Sequence, residues 1–175
     1  MNAFVRALGF VVLLCSIAAP AGADTMMPGM MMAQPVTSRT AGPYRIVLGF
    51  MPAEPFYTAG QVEARHIKEG MLVVGGAAPV QPGAESHPNH HLVFHVYDAT
   101  SGKALTGAHV SIAYRRSGGA AVPLPVVEMQ VIGKGPESTH YGNNVTLPPG
   151  TYDVKVTVNG SHSATFSVKS RDSLI

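Results

Sequence analysis

Met129 and the segment His140, Tyr141, Gly142, Asn143, Asn144, Val145 place a thioether and an imidazole shortly before a Pro148, Pro149, Gly150 turn. Sulfur and imidazole nitrogen are soft and borderline donors, which suit copper far better than magnesium or calcium. Upstream, His87, His90, His91 and His95 crowd together at the start of an apolar run. If His91 and His95 share an extended strand, four residues set them ~13 Å apart, whereas copper or zinc takes its nitrogens at ~2 Å. The two cannot then chelate one ion. One must combine with ligands from other strands, and Met129 with His140 is the supply. The plainer alternatives are a loop imidazole bonded to a backbone carbonyl for His140 and a core methionine for Met129, beside Val127 and Val131. His95 has the alternative of orienting a neighbour or packing at a sheet edge.

The elements that must position these groups are strands. Tyr44, Ile46, Leu48 and Phe50 fall at every second position and so on one face, as do Leu92, Phe94 and Val96, then Val110, Ile112 and Tyr114, then Val127, Met129 and Val131. Period-two runs of this kind signal half-buried strands. Tyr152, Val154, Val156 and Val158 alternate with Asp153, Lys155 and Thr157, and Asn159-Gly160 then predicts a type I′ hairpin turn into Ala164, Phe166 and Val168. Met71 to Val74 reads as a short buried strand, and the surrounding stretch from Gln61 to Gly83 as a loop excursion. No helical period of useful length is visible. Turn signals at Asp98 to Gly102, Ser117 to Gly119 and Pro148 to Gly150 complete the prediction of an all-β fold, an immunoglobulin-like antiparallel β-sandwich over residues 44–170.

Ahead of that domain, Arg6 and the apolar run from Ala7 to Ala18, followed by Ala21, Gly22 and Ala23, read as a signal peptide over residues 1–23. Cleavage near Ala23 would give a periplasmic or secreted chain. The run is short of the ~20 apolar residues a helix needs to cross a bilayer, and no later segment approaches it, so no membrane span is expected in the mature chain. Residues 24–43 read as a flexible tail rich in methionine, with Met26, Met27, Met30, Met31 and Met32; these thioethers suit cuprous capture or serve as a spacer. The one cysteine, Cys15, lies in the leader, so the mature fold rests on its hydrophobic core with no disulfide. With 12 basic and 10 acidic residues there is no electrostatic footprint for nucleic acid. No Gly-x-Ser-x-Gly elbow or zincin motif points to an enzyme.

The chain resembles a family of small periplasmic proteins that accompany ferrous iron permeases, immunoglobulin-like in fold and binding copper at a dimeric site. Met129 followed by His140, Tyr141, Gly142 and Asn144 is similar to the family's methionine shortly before a His-Tyr-Gly-x-Asn segment. His91 with Leu92 is similar to its His-Leu-x strand. His162, beyond Thr151 to Val158, stands where the family has its last histidine ligand. The resemblance implies copper, with iron beside it, a membrane metal permease as partner, and a homodimer. The sequence departs from the family at Val93, which stands where the family has an acidic residue associated with iron handling; that favours copper, for which methionine and histidine suffice.

Together these features predict an exported protein that holds copper, or copper with iron, for metal uptake or delivery, through His91, Met129 and His140, with His95 and His162 as further candidate ligands. The alternative from another class is a metal-free immunoglobulin-like interaction module of the cell envelope. An unperturbed imidazole titrates near ~6.5, so metal affinity is expected to fall below about pH 6.

Overall fold

The computed structural model of the chain describes residues 37–75 and 87–171. The leader, the methionines of the tail and most of the Gly75 to Gly83 stretch lie outside the described residues. In chain order the elements are β1 (Ser38–Ala41), β2 (Tyr44–Pro52), β3 (Phe56–Tyr57), α1 (Ala59–Arg65), β4 (Met71–Val73), β5 (His90–Asp98), β6 (Val110–Arg116), β7 (Val122–Leu124), β8 (Val127–Val131), β9 (His140–Val145), β10 (Gly150–Val158) and β11 (His162–Ser170).

They form the two-layer all-β sandwich that the alternation predicts. One sheet has seven strands in the order β1-β2-β5-β9-β8-β4-β3, and the other has four in the order β11-β10-β6-β7. Neighbours are antiparallel except β3 and β4, which run parallel. Ile46, Leu48 and Phe50 of β2, Leu92, Phe94 and Val96 of β5, and Tyr141 and Val145 of β9 face Ile112, Val154, Val156, Val158, Ala164, Phe166 and Val168 of the smaller sheet. Phe94 and Phe166 meet with ring centroids 5.1 Å apart. Each such side chain removed from water contributes about 1.5–3 kcal/mol. The Tyr141 hydroxyl donates to the Leu105 carbonyl at 2.9 Å and accepts from the Ala108 N–H at 3.1 Å, tying a crossing loop to the core.

The predicted hairpin is present. Asn159 (φ 48°) and Gly160 (φ 75°) occupy the left-handed positions of the turn, and the Ser161 N–H reaches the Val158 carbonyl at 3.3 Å. Two local expectations need correction. The end of the segment read as a flexible tail is strand β1, which pairs with β2 from Ser38↔Val47 to Ala41↔Tyr44; only Ala41 of it is buried, so it carries no alternation to detect. The segment read as a loop from Gln61 begins inside α1, whose Thr58 and Gln61 form a reciprocal capping box that satisfies two helix-end N–H groups. His140 lies on a β segment, not in the loop of the plainer alternative, and every residue of that strand is buried.

Candidate metal centre

Side chains alternate across a strand, so pointing Leu92, Phe94 and Val96 at the main core sends His91, Val93 and His95 to the other face of the seven-stranded sheet. Register then assembles that outer face. Val47, Gly49 and Met51 of β2 lie beside His95, Val93 and His91 of β5. His91 and Val93 lie beside Asn144 and Gly142 of β9, His140 beside Met129 of β8, and Met129 beside Val73 of β4. Met71, Val73, Val93 and Met129 form a second apolar cluster here, with Met51, Phe56, Val127 and Val131 packed against it. Met129 is thus a buried methionine, but not one of the main core.

The histidine rings gather over this patch. The His140 ring centroid is 5.1 Å from that of His95 and 5.8 Å from that of His91. Two imidazoles bound to one tetrahedral ion through ~2 Å bonds have centroids about 5 Å apart, so either pair has the spacing of a chelate. The separation of His91 from His95 along their strand therefore does not divide them into unrelated groups, because His140 stands between them on the next strand. Gly142 makes the approach of β9 to β5 possible: a Cβ there would drive into the Leu92 carbonyl oxygen and come within 2.9 Å of a Val93 methyl. Among the described residues no three histidine, cysteine or acidic side chains are arranged to hold an ion by themselves. The rings meet in pairs, and the donor that register adds is the Met129 thioether.

Hydrogen bonding fixes which nitrogen each ring offers. The Asn144 Oδ1 accepts the Glu54 N–H at 3.2 Å while its Nδ2 donates to the Glu54 carbonyl at 2.7 Å. A backbone N–H can only donate and a carbonyl only accept, so the amide orientation is determined. The same Oδ1 lies 2.9 Å from His91 Nδ1, which must therefore carry the proton. His140 Nδ1 donates to the Ser138 carbonyl at 2.8 Å. Both rings are left with a bare Nε2 lone pair, and both Nε2 atoms are buried with no partner among the described residues, as is Nδ1 of His95. His91 is 0% and His140 2% exposed. An unmet buried acceptor costs about 1–3 kcal/mol, and carbonyl or amide support behind a ring is the arrangement that orients metal-binding histidines.

Burial, which disfavours the charged form, pushes the imidazoles of His91 and His140 down to about 4. Their Asn144 and Ser138 hydrogen bonds oppose that shift and the neighbouring rings add to it. His95 is lowered by burial too, against an interaction with the Thr139 backbone. Loss of metal affinity below about pH 6, expected for an ordinary imidazole, is accordingly moved to more acidic conditions.

Of the predicted ligands, the fold brings His91, His95, His140 and Met129 together and places His162 elsewhere. That residue closes the β10–β11 hairpin, with its ring edge-on to Tyr44 at a centroid distance of 5.3 Å. His90 stacks on Phe50 at 4.4 Å and bonds Ser170 Oγ at 2.9 Å, which is a structural role. His87 and His109 are exposed, and His66 is the left-handed C-cap of α1 (φ 52°). Sequence reasoning missed Met51, which the alternation of β2 puts on the histidine face, and the part played by the Asn144 amide. No family model and no curated protein sequence matches the chain.

Proposed function

We propose that this chain is an exported metal-binding protein that holds copper for uptake or delivery, through His140, Met129 and one or both of His91 and His95. The observation that carries the reading is the pair of buried, unprotonated Nε2 atoms of His91 and His140, each fixed from behind by a neutral acceptor and left with no partner among the described residues. A fold that keeps such lone pairs dry and unmet gives up stability it could recover by placing leucine there. A borderline ion beside the Met129 thioether is the chemistry that uses them. The resemblance to periplasmic partners of ferrous iron permeases supports the same reading and extends it to a membrane permease and a homodimer; Val93, in place of an acidic residue, speaks for copper over iron.

The test is a copper titration of the purified chain with metal content measured per protomer. Saturable binding that is lost in His140→Leu and in Met129→Leu, with far-ultraviolet circular dichroism unchanged, supports the reading. A chain that takes up no copper, as a metal-free interaction module would, or variants that bind as tightly as the parent, overturn it.

A further inference from the structure

We infer that the cargo of this site is the cuprous ion rather than a divalent one, because every donor gathered on the outer face is uncharged and the ring nitrogens and the Met129 side chain are buried. The inference rests on the copper-binding reading and adds to it an oxidation state. The nitrogens are imidazole lone pairs, and the sulfurs that register sets beside them are the thioethers of Met129, opposite His140, and Met51, opposite His91. A Cβ added at Gly49 would lie 3.3 Å from the Met51 methyl and 2.8 Å from a Val93 methyl, so Met51 folds back over the sheet toward the cluster.

No negative charge stands among the described residues that register and packing set around the rings: Met51, Val93, Met129, Gly142 and Asn144 are all uncharged. The centre of the patch is Val93, 1% exposed. The groups behind the rings are an amide oxygen and a carbonyl rather than carboxylates, so they lend orientation without anionic character. On the far side of His95 the fixed charge is positive: Tyr97 stacks on His95 at 6.2 Å and carries the Arg45 guanidinium 4.2 Å above its ring. The cost of moving an ion out of water rises with the square of its charge, so a dication in this pocket meets about four times the penalty of a monocation, with nothing anionic to offset it. Thioether sulfur adds a preference for the softer cuprous state.

The experiment compares dissociation constants on the purified full-length chain. Cuprous ion is titrated anaerobically against a coloured cuprous chelator, and cupric and zinc ions against weak divalent competitors. Cuprous binding at least 100-fold tighter than cupric or zinc is expected, with a reduction potential of the loaded site raised by about 120 mV over the aqueous couple. Val93→Glu should narrow that ratio by tenfold or more in favour of the cupric ion. Equal or tighter binding of cupric or zinc ion by the parent chain overturns the cuprous assignment and leaves copper binding intact. Absence of binding in both oxidation states overturns both readings. If Val93→Glu does not fold, the parent ratio and the potential decide by themselves.

Discussion

The two faces of the seven-stranded sheet follow opposite rules although they alternate residue by residue along the same strands. The inner face of β5 offers Leu92, Phe94 and Val96 to a core whose buried hydroxyls, those of Tyr141 and Tyr152, have partners. The outer face of the same strand offers His91, Val93 and His95 to a smaller, less fully covered cluster that nonetheless buries ring nitrogens with no hydrogen bond among the described residues. What is buried for stability inside is buried at a cost outside. That difference teaches that burial alone does not identify a core; the unsatisfied acceptor within it marks the face that answers to something other than folding.

Acid should separate the faces most, because the outer one holds the two imidazoles that burial pushes down to about 4. The folded pKa of His91 and His140, about 4, lies below the ~6.5 of the unfolded chain. The unfolded state therefore takes up protons first. Their share of the stability is full above pH 6.5, falls by several kcal/mol as the pH drops toward 4, and is spent below that. Urea midpoints of the metal-free chain at pH 7.5, 5.5 and 4.5 measure this, and a double His91→Leu, His140→Leu variant should lose most of the slope. A midpoint indifferent to pH in the parent would refute the burial of the two imidazoles.

The inner face should break like any core. Phe94→Ala is expected to cost about 3–5 kcal/mol, seen as a lower urea midpoint, with copper binding lost only to the extent that the fold is. On the outer face the pattern inverts: His140→Leu should move the stability of the metal-free chain at pH 7.5 by less than about 2 kcal/mol in either direction, while copper affinity falls by 100-fold or more. If instead His140→Leu destabilises as strongly as Phe94→Ala, the outer cluster is simply more core. The smallest effect sharpens the contrast. Asn144→Ala removes the acceptor that sets the His91 tautomer, and titration should show a 10- to 100-fold weaker site with the His140 side of it intact.

The inner face was legible because it is periodic. A run such as Ile46, Leu48, Phe50 announces both the strand and the side that faces the core, and Asn159-Gly160 announces where one strand must turn back. The residue types of the outer face were legible as chemistry, but their meeting was not. Whether His91 or His95 faces His140 depends on the register between β5 and β9, strands far apart in the chain, and no local pattern encodes a pairing of that kind. The same reasoning that put His91 and His95 ~13 Å apart along a strand could not see a third ring entering between them from the next. Met51 was readable in hindsight from the alternation of Arg45, Val47 and Gly49. The helix α1 was signalled by Thr58 and Gln61, a capping pair attached to too few residues to show a period. Strand β1 had no such sign, since hydrogen bonding to β2 and not burial holds it.

The burial of the ring nitrogens has a kinetic meaning. The connection from β2 to β3 is pinned at Glu54 to the Asn144 amide, and Phe56 lies edge-on to His91 at 5.5 Å, so this segment lies across the His91 side of the cluster. Departure would wait on a fluctuation of the chain. Transfer to an acceptor should then saturate as the acceptor is raised, reaching a ceiling set by how often the protein opens, and a partner that speeds the hand-off would do so by prising that segment away rather than by outbidding the site for its ion.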